Sequence, residues 1–461
     1  MAEEAYMSSR REFLMAGLGA GVATWLAPAL ARGQASRPAV FRAGAGRADV
    51  VFADTLFPLD GFAGQHDPLA TRVLLLEQGG RRIAVAVVDL TSIPEDMIGG
   101  LKAILAEVAG VAADDAIVCA GHTFSAPHVF VGEHLPPGTD VARNQAALLA
   151  FETALRTAAT RAVATLQPAR LGMATGVSRT SVNRDVATPQ GWWLGADEAG
   201  FADPALGVLR IDGRDGKPLA VVMNFAVQPS VMDASERAEG GRLISADLAG
   251  AASRRVEAHY GGGTVALFLV GAAGDQAPMF QASRHVVDAA GKPGRIDLHE
   301  TGFVLLDLLG ERLGGSVVQL ADGIATGSRS VPGLGVERMQ VDVPSQGRAR
   351  STPSGPVTAY RYEPGPAVAL PVVLVRLGEA VLVGLQPELA ASVGARIRAD
   401  SPYPHTLVAT MVDGAAKYLP DASSYDRFTY EARNSAYAKG AAEIAAAAIV
   451  ARLQQLRAPG P

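Results

Sequence analysis

The feature that most constrains this chain is its alternation of short, almost wholly apolar runs with longer stretches of helical periodicity. Thr264–Val270 reads TVALFLV, Val381–Leu385 reads VLVGL, and Leu407–Asp413 reads LVATMVD. Apolar runs this short, without polar alternation, are strands buried on both faces. Between them, Glu95–Ala109, Asp140–Leu166, Ser245–Tyr260, Asp297–Ala321, Glu388–Ala399 and Ala432–Leu456 carry apolar residues at helical spacing. Arg72–Leu90 adds two strand-like runs around Gly79-Gly80, a hairpin signal. The order predicts an α/β fold with mixed sheets covered by helices. Segments 328–334 and 347–356 interrupt the pattern without marking a boundary, so residues 49–461 are expected to form a single domain.

The N-terminus reads differently. Arg10 and Arg11 precede a moderately apolar run, Leu14–Ala31, that carries three glycines and a proline and ends Ala29-Leu30-Ala31. Paired arginines before such a run, closed by a small-x-small site, form a twin-arginine signal peptide over residues 1–31. A membrane span would need roughly 20 strongly apolar residues, so no integral span is expected in the mature chain. The expected location is periplasmic or secreted. Residues 32–48, rich in Gly, Ala, Arg and Ser, are expected to be a linker.

Composition narrows the partners. There are 41 basic and 46 acidic residues, a net charge of −5, and no basic block, which argues against nucleic acid. The single cysteine, Cys119, has no disulfide partner, and its apolar setting, AIVCAGH, predicts a buried, inert thiol.

Polar clusters follow the apolar strands, and in α/β folds strand C-terminal ends commonly carry the site. The first, Gly121–His128, offers His122, Thr123, Ser125 and His128. Its histidines suit a metal ligand, a general base or a backbone-bonded turn equally well. The second, Asn224–Ser230, holds Gln228 before Pro229 and reads as a structural turn. The third joins Ile244–Gly250 to Gly271–Pro278, where glycines before Asp275 offer backbone N–H groups for an oxyanion or carboxylate. It lacks the Lys-Ser/Thr of a phosphate loop and the Gly-x-Ser-x-Gly of a nucleophile elbow. The fourth places Glu388 after Gln386-Pro387, then Tyr418, Tyr430 and Glu431 around LPDASSYDRFT. Trp192 and Trp193, in an expected loop, fit either a ligand mouth or a core cap.

In order, these stretches resemble the catalytic domain of the neutral/alkaline, non-lysosomal ceramidases. The stretches are His122-Thr123-Phe124-Ser125-Ala126-Pro127, Asn183-Arg184, Asn224-Phe225-Ala226-Val227-Gln228-Pro229, Ser245-Ala246-Asp247-Leu248-Ala249-Gly250, Gly271–Pro278, Gln386-Pro387-Glu388, and Tyr418 with Tyr430-Glu431. They span roughly residues 48–455. The resemblance implies one divalent ion, zinc first, at His122, Gln228, Glu388 and Tyr418, with Gln228 where the family has histidine. It places Arg184 and Tyr430 near a substrate amide. The family's serine position is Ala277, and a second histidine position is Phe124.

These departures remove an oxygen nucleophile and a proton carrier, and two readings follow. One is a metal-dependent hydrolase of an amide or ester, acting on a small-molecule or lipid-like substrate. In it, Asp275 or His128 takes a proton, and Arg184 and Gly274 bind substrate. The other is a non-catalytic ligand-binding or envelope protein on a degenerate scaffold of the same kind.

Overall fold

The computed structural model describes residues 39–132, 135–327, 331–347 and 353–458. The expected signal peptide, and residues 32–38 of the expected linker, lie outside the described residues.

Three sheets share one core. The first orders Ala116–Ala120, Arg81–Val88, Ala70–Gln78, Arg42–Asp49 and Gln167–Pro168. The second orders Val265–Val270, Pro218–Phe225, Ala205–Asp212 and Arg170–Val177. The third orders Gly335–Val343, Val368–Leu377, Ala380–Leu385 and His405–Ala409. Each sheet contains one parallel pair: Arg81–Val88 with Ala116–Ala120, Pro218–Phe225 with Val265–Val270, and Ala380–Leu385 with His405–Ala409.

The period of two in a strand explains the continuous apolar runs. Ile83, Val85 and Val87 face the shared core, as do Val265, Leu267, Leu269, Ala380 and Leu382. The alternate residues face outward onto helices. Ala84, Ala86 and Val88 meet Glu95–Ala109 and Val141–Ala164. Ala266, Phe268 and Val270 meet Asp247–Tyr260 and Gly302–Asp322. Val381, Val383 and Leu385 meet Ala391–Asp400 and Ala441–Arg457. Val265–Val270 and Ala380–Leu385 are buried at every position and apolar on both faces, as the α/β reading requires.

The C-terminal ends of the three parallel pairs are stitched together by backbone. Gly271 donates to the Phe225 carbonyl, Thr410 to Val270, Val412 to Leu385, and Asp413 to Val118. The Thr410 hydroxyl donates to Gly271. The segment that makes these bonds includes Met411, Asp413 and Lys417 in the left-handed region, at φ 58°, 56° and 54°. A non-glycine residue holds that conformation only where its surroundings impose it.

Four sequence expectations change. Arg42–Ala48, expected in the linker, belongs to the strand Arg42–Asp49, which pairs with Ala70–Gln78 along its whole length. Its small residues reflect close packing rather than flexibility: a Cβ on Gly44 would lie 2.1 Å from the Ala162 carbonyl oxygen, and one on Gly46 2.1 Å from that of Ala158. Gly191–Asp197, expected as a loop, is a strand pairing Trp193 with Val186 and Trp192 with Ala187. The helix expected from Asp297 begins at Gly302, because Pro293–Asp297 pairs with Ser283–Val287 in a hairpin. The C-terminal helix is two, Tyr430–Arg433 and Ala441–Arg457. Cys119 is buried at the junction of the sheets, and burial pushes its thiol far above the ordinary range. Among the described residues, no helix is long and apolar enough to cross a membrane.

Two glycine substitutions should move stability in opposite directions. Gly46→Ala forces a methyl into helix backbone and should cost about 1–3 kcal/mol. Gly99→Ala, in an exposed helical position open to solvent, should gain about 0.5–1 kcal/mol. Thermal midpoints of the two variants against the parent check both signs.

Candidate functional site

A cavity of about 290 Å³ opens beside the junction of the sheet ends. Its walls are aromatic, from Phe124, Trp193, Tyr418 and Tyr430, and its charged lining groups are Arg184, Arg295 and Asp233. Ala277 lines it too, in the strand Gln276–Pro278 that pairs with Ser181–Thr188.

Arg184 is the centre of the arrangement. Its backbone N–H donates to the Asp275 carbonyl, which fixes the strand position. Its Nε donates to Glu431 Oε1 at 2.6 Å, and its Nη1 donates to Gln228 Oε1 at 2.6 Å. Its Nη2 also lies 2.6 Å from Glu431 Oε1. That contact is a close charge pairing outside hydrogen-bond alignment, so Nη2 has no aligned hydrogen-bond partner. The guanidinium carbon sits 5.2 Å from the Tyr418 ring centroid and 5.9 Å from that of Tyr430. Burial opposes the Arg184 charge, but Glu431, Tyr418 and Glu388 more than offset it and raise its pKa further.

Gln228 bridges this cation to a carboxylate. Its oxygen accepts from Arg184, and its amide nitrogen donates to Glu388 Oε2. The reading of this stretch as a structural turn therefore missed a side chain that lines the cavity. Behind it, His122 Nδ1 lies 2.5 Å from the Thr91 carbonyl oxygen. A carbonyl only accepts, so Nδ1 carries the proton there. Nε2, with no hydrogen-bond partner, lies 3.2 Å from Glu388 Oε2. A lone pair facing a carboxylate is unfavourable; a proton or another cation between the two makes the contact attractive. Tyr418 lies opposite Glu388 in the parallel pair Glu388–Leu389 with Tyr418–Leu419. Burial and then Glu388 push its phenol far above the usual range.

His122, Gln228, Glu388 and Tyr418 thus gather at one place, but as donors they do not fit a four-coordinate zinc. Gln228 turns N–H hydrogens, not a lone pair, toward Glu388. Tyr418 offers a phenol oxygen, which is outside the Cys, His, Asp and Glu set that zinc sites draw on. Only His122 and Glu388 are donors that zinc favours. Among the described residues, no group of three or more His, Cys, Asp and Glu is placed to hold a metal ion.

Three further sequence candidates leave the site. His128 is exposed and pairs with Asp60 through Nδ1 at 2.8 Å. The Gly274 N–H is spent on the Leu389 carbonyl, and a Cβ there would lie 2.7 Å from the Glu388 carbonyl oxygen. Its glycine serves close packing, not an oxyanion. Asp275 accepts from the Ala391 N–H at 2.9 Å and from Asn183 at 3.3 Å, which ties loop to helix. Burial lifts its carboxyl to about 6. The neighbouring Asp247 of the Ser-x-Asp motif likewise accepts from the N–H groups of Val231, Met232 and Leu248 and is structural.

Other site residues carry no sequence motif. The hairpin Ser283–Val287 with Pro293–Asp297 brings His285 and Arg295 to the cavity, with Arg295 Nη2 2.9 Å from His285 Nε2 and 3.1 Å from Asp233. Burial and then Arg295 lower the His285 pKa to about 4, so its ring is neutral near pH 7. Asp185 lies beside Glu431; burial and then that carboxylate push its own carboxyl well above the usual range.

No family model matches this chain, and neither does any curated protein sequence. Solved structures match by shape. The neutral ceramidase from Pseudomonas aeruginosa superposes with a TM-score of 0.67 at 20% identity, covering 92% of this chain and 76% of that one. The fold is that of a neutral ceramidase. A ceramidase complexed with C2 agrees, with a TM-score of 0.66, 20% identity, and 92% and 77% coverage. The resemblance read from the ordered motifs therefore holds at the level of the ceramidase fold and its mixed, helix-covered sheets.

The Asp275 carboxyl has a pH consequence. Its folded pKa of about 6 lies above its ordinary 3.8. The folded state thus binds more protons between those values, and stability is lost as pH rises through about 6. Asp275→Asn should flatten the stability-versus-pH slope between pH 4 and 6 by close to one proton, measured by denaturant unfolding at stepped pH.

Proposed function

We propose that this cavity binds a small organic molecule carrying a carboxylate and an apolar body. The observation that supports it is Arg184: it lines the cavity, its side chain is nine-tenths buried, and its Nη2 has no aligned hydrogen-bond partner. A ligand carboxylate oxygen would give Nη2 the aligned acceptor that Glu431 Oε1 does not. The lining carries two arginines against one aspartate, and four aromatic rings would hold the apolar body. Ala277 offers no oxygen for attack and Phe124 no proton, so the ligand is bound without attack by a serine at that position.

A second reading, metal-dependent hydrolysis of an amide or ester, draws on a different observation. His122 is anchored through Nδ1 with Nε2 aimed at Glu388, the carbonyl-oriented arrangement of a metal-ligating histidine. This chain's residues would orient the substrate, with Arg184 on its carboxylate and Tyr430 beside the bond. Turnover that survives His122→Ala and Glu388→Ala would exclude that reading.

Trp193 reports on binding directly, because it lines the cavity and the whole chain has only three tryptophans. Titration with hexanoate should give a saturable fluorescence change, weakened at least tenfold in Arg184→Met. Hexanamide, which lacks the charge, should bind far more weakly. Equal binding of hexanoate and hexanamide would overturn the carboxylate assignment.

A further inference from the structure

We infer that Arg184 and Gln228 together stand in place of a metal centre, and that Gln228 is the residue that keeps a divalent ion out of this site. The inference does not depend on which ligand the cavity takes.

The argument is one of donors and charge. Glu388 Oε2 already receives the Gln228 amide nitrogen and faces His122 Nε2. An ion within about 2.0–2.2 Å of that oxygen would meet the Gln228 N–H hydrogens, which point positive charge at it. Rotating the amide by half a turn would present its oxygen instead. It would also drive the amide nitrogen against Arg184 Nη1, donor against donor, at the 2.6 Å where a hydrogen bond now stands. Arg184 therefore locks the amide in the orientation that excludes the ion. Arg184 is itself a fixed buried cation, held by Glu431 and by the rings of Tyr418 and Tyr430. It supplies positive charge to Glu431 directly and to Glu388 by way of Gln228. The remaining preferred donors, His122 and Glu388, are two where a zinc site uses at least three.

Substitution at this one position then decides metal binding. Gln228→His replaces the amide with an imidazole lone pair. Gln228→Glu is isosteric, keeps an acceptor for Arg184 Nη1, and makes a set of one histidine and two carboxylates. The experiment equilibrates full-length protein with micromolar zinc, removes free ion by dialysis, and reads bound zinc by plasma mass spectrometry alongside the thermal midpoint with and without chelator. The parent should hold less than a tenth of an equivalent, and chelator should leave its midpoint unchanged. Either Gln228 variant should hold close to one equivalent, lose it when His122→Ala is added, and show a midpoint lowered by chelator. A parent that retains about one equivalent, lost in His122→Ala, would overturn the inference. Folded Gln228→His and Gln228→Glu proteins that both stay metal-free would overturn the assignment to Gln228. Both readouts are independent of any ligand in the cavity, so a failed carboxylate titration leaves this test standing.

Discussion

The structure depends on the packing of three sheets against one another rather than on any one sheet. Ile83, Val85 and Val87, Val265, Leu267 and Leu269, and Ala380 and Leu382 point into the same interior. Each fully buried aliphatic side chain of this size contributes about 1.5–3 kcal/mol relative to exposure. That shared face requires the three parallel pairs to end together, and the backbone bonds from Gly271, Thr410, Val412 and Asp413 fix how they end. Residues as distant in sequence as His122 and Glu388 meet only because of this convergence.

The site that results is an electrostatic problem solved from within. Buried charge is tolerated when paired and hydrogen-bonded, and here one guanidinium serves Glu431 directly and Glu388 through Gln228. Asp185, next to Glu431, meets the same constraint differently, by a raised pKa that favours its neutral form. The Tyr418 and Tyr430 rings lie 5.2 and 5.9 Å from the Arg184 guanidinium carbon, and its Nη2 has no aligned hydrogen-bond partner. In this arrangement a histidine-to-glutamine difference is a change in where hydrogens point, more than a change in size.

Much of the fold was legible because burial on two faces leaves a continuous apolar run, and on Val265–Val270 and Ala380–Leu385 no other element competes for that pattern. Arg42–Ala48 was misread because glycine serves close approach and flexibility alike, and only the helix carbonyls of Ala158 and Ala162 tell them apart. In the site, the ordered motifs located His122, Arg184, Gln228, Glu388, Tyr418 and Tyr430, which the structure brings together. His128, Gly274 and Asp275 are instead engaged with Asp60, the Leu389 carbonyl and the Ala391 N–H, because sequence records that a residue is present and not whether it faces ligand or backbone. His285 and Arg295 had no signal at all: they arrive on a hairpin whose strands are short and half exposed, and nothing in their spacing marks a shared cavity.

The left-handed residues Met411, Asp413 and Lys417 divide the cavity's surroundings by their freedom to evolve. A segment that holds three such residues while stitching the sheet ends together accepts little substitution, since each change must satisfy both strain and register. The hairpin bearing His285 and Arg295 holds no non-glycine residue in that region. New ligand preferences on this scaffold would therefore arise by drift in that hairpin, while the junction beneath it stays fixed as inherited architecture.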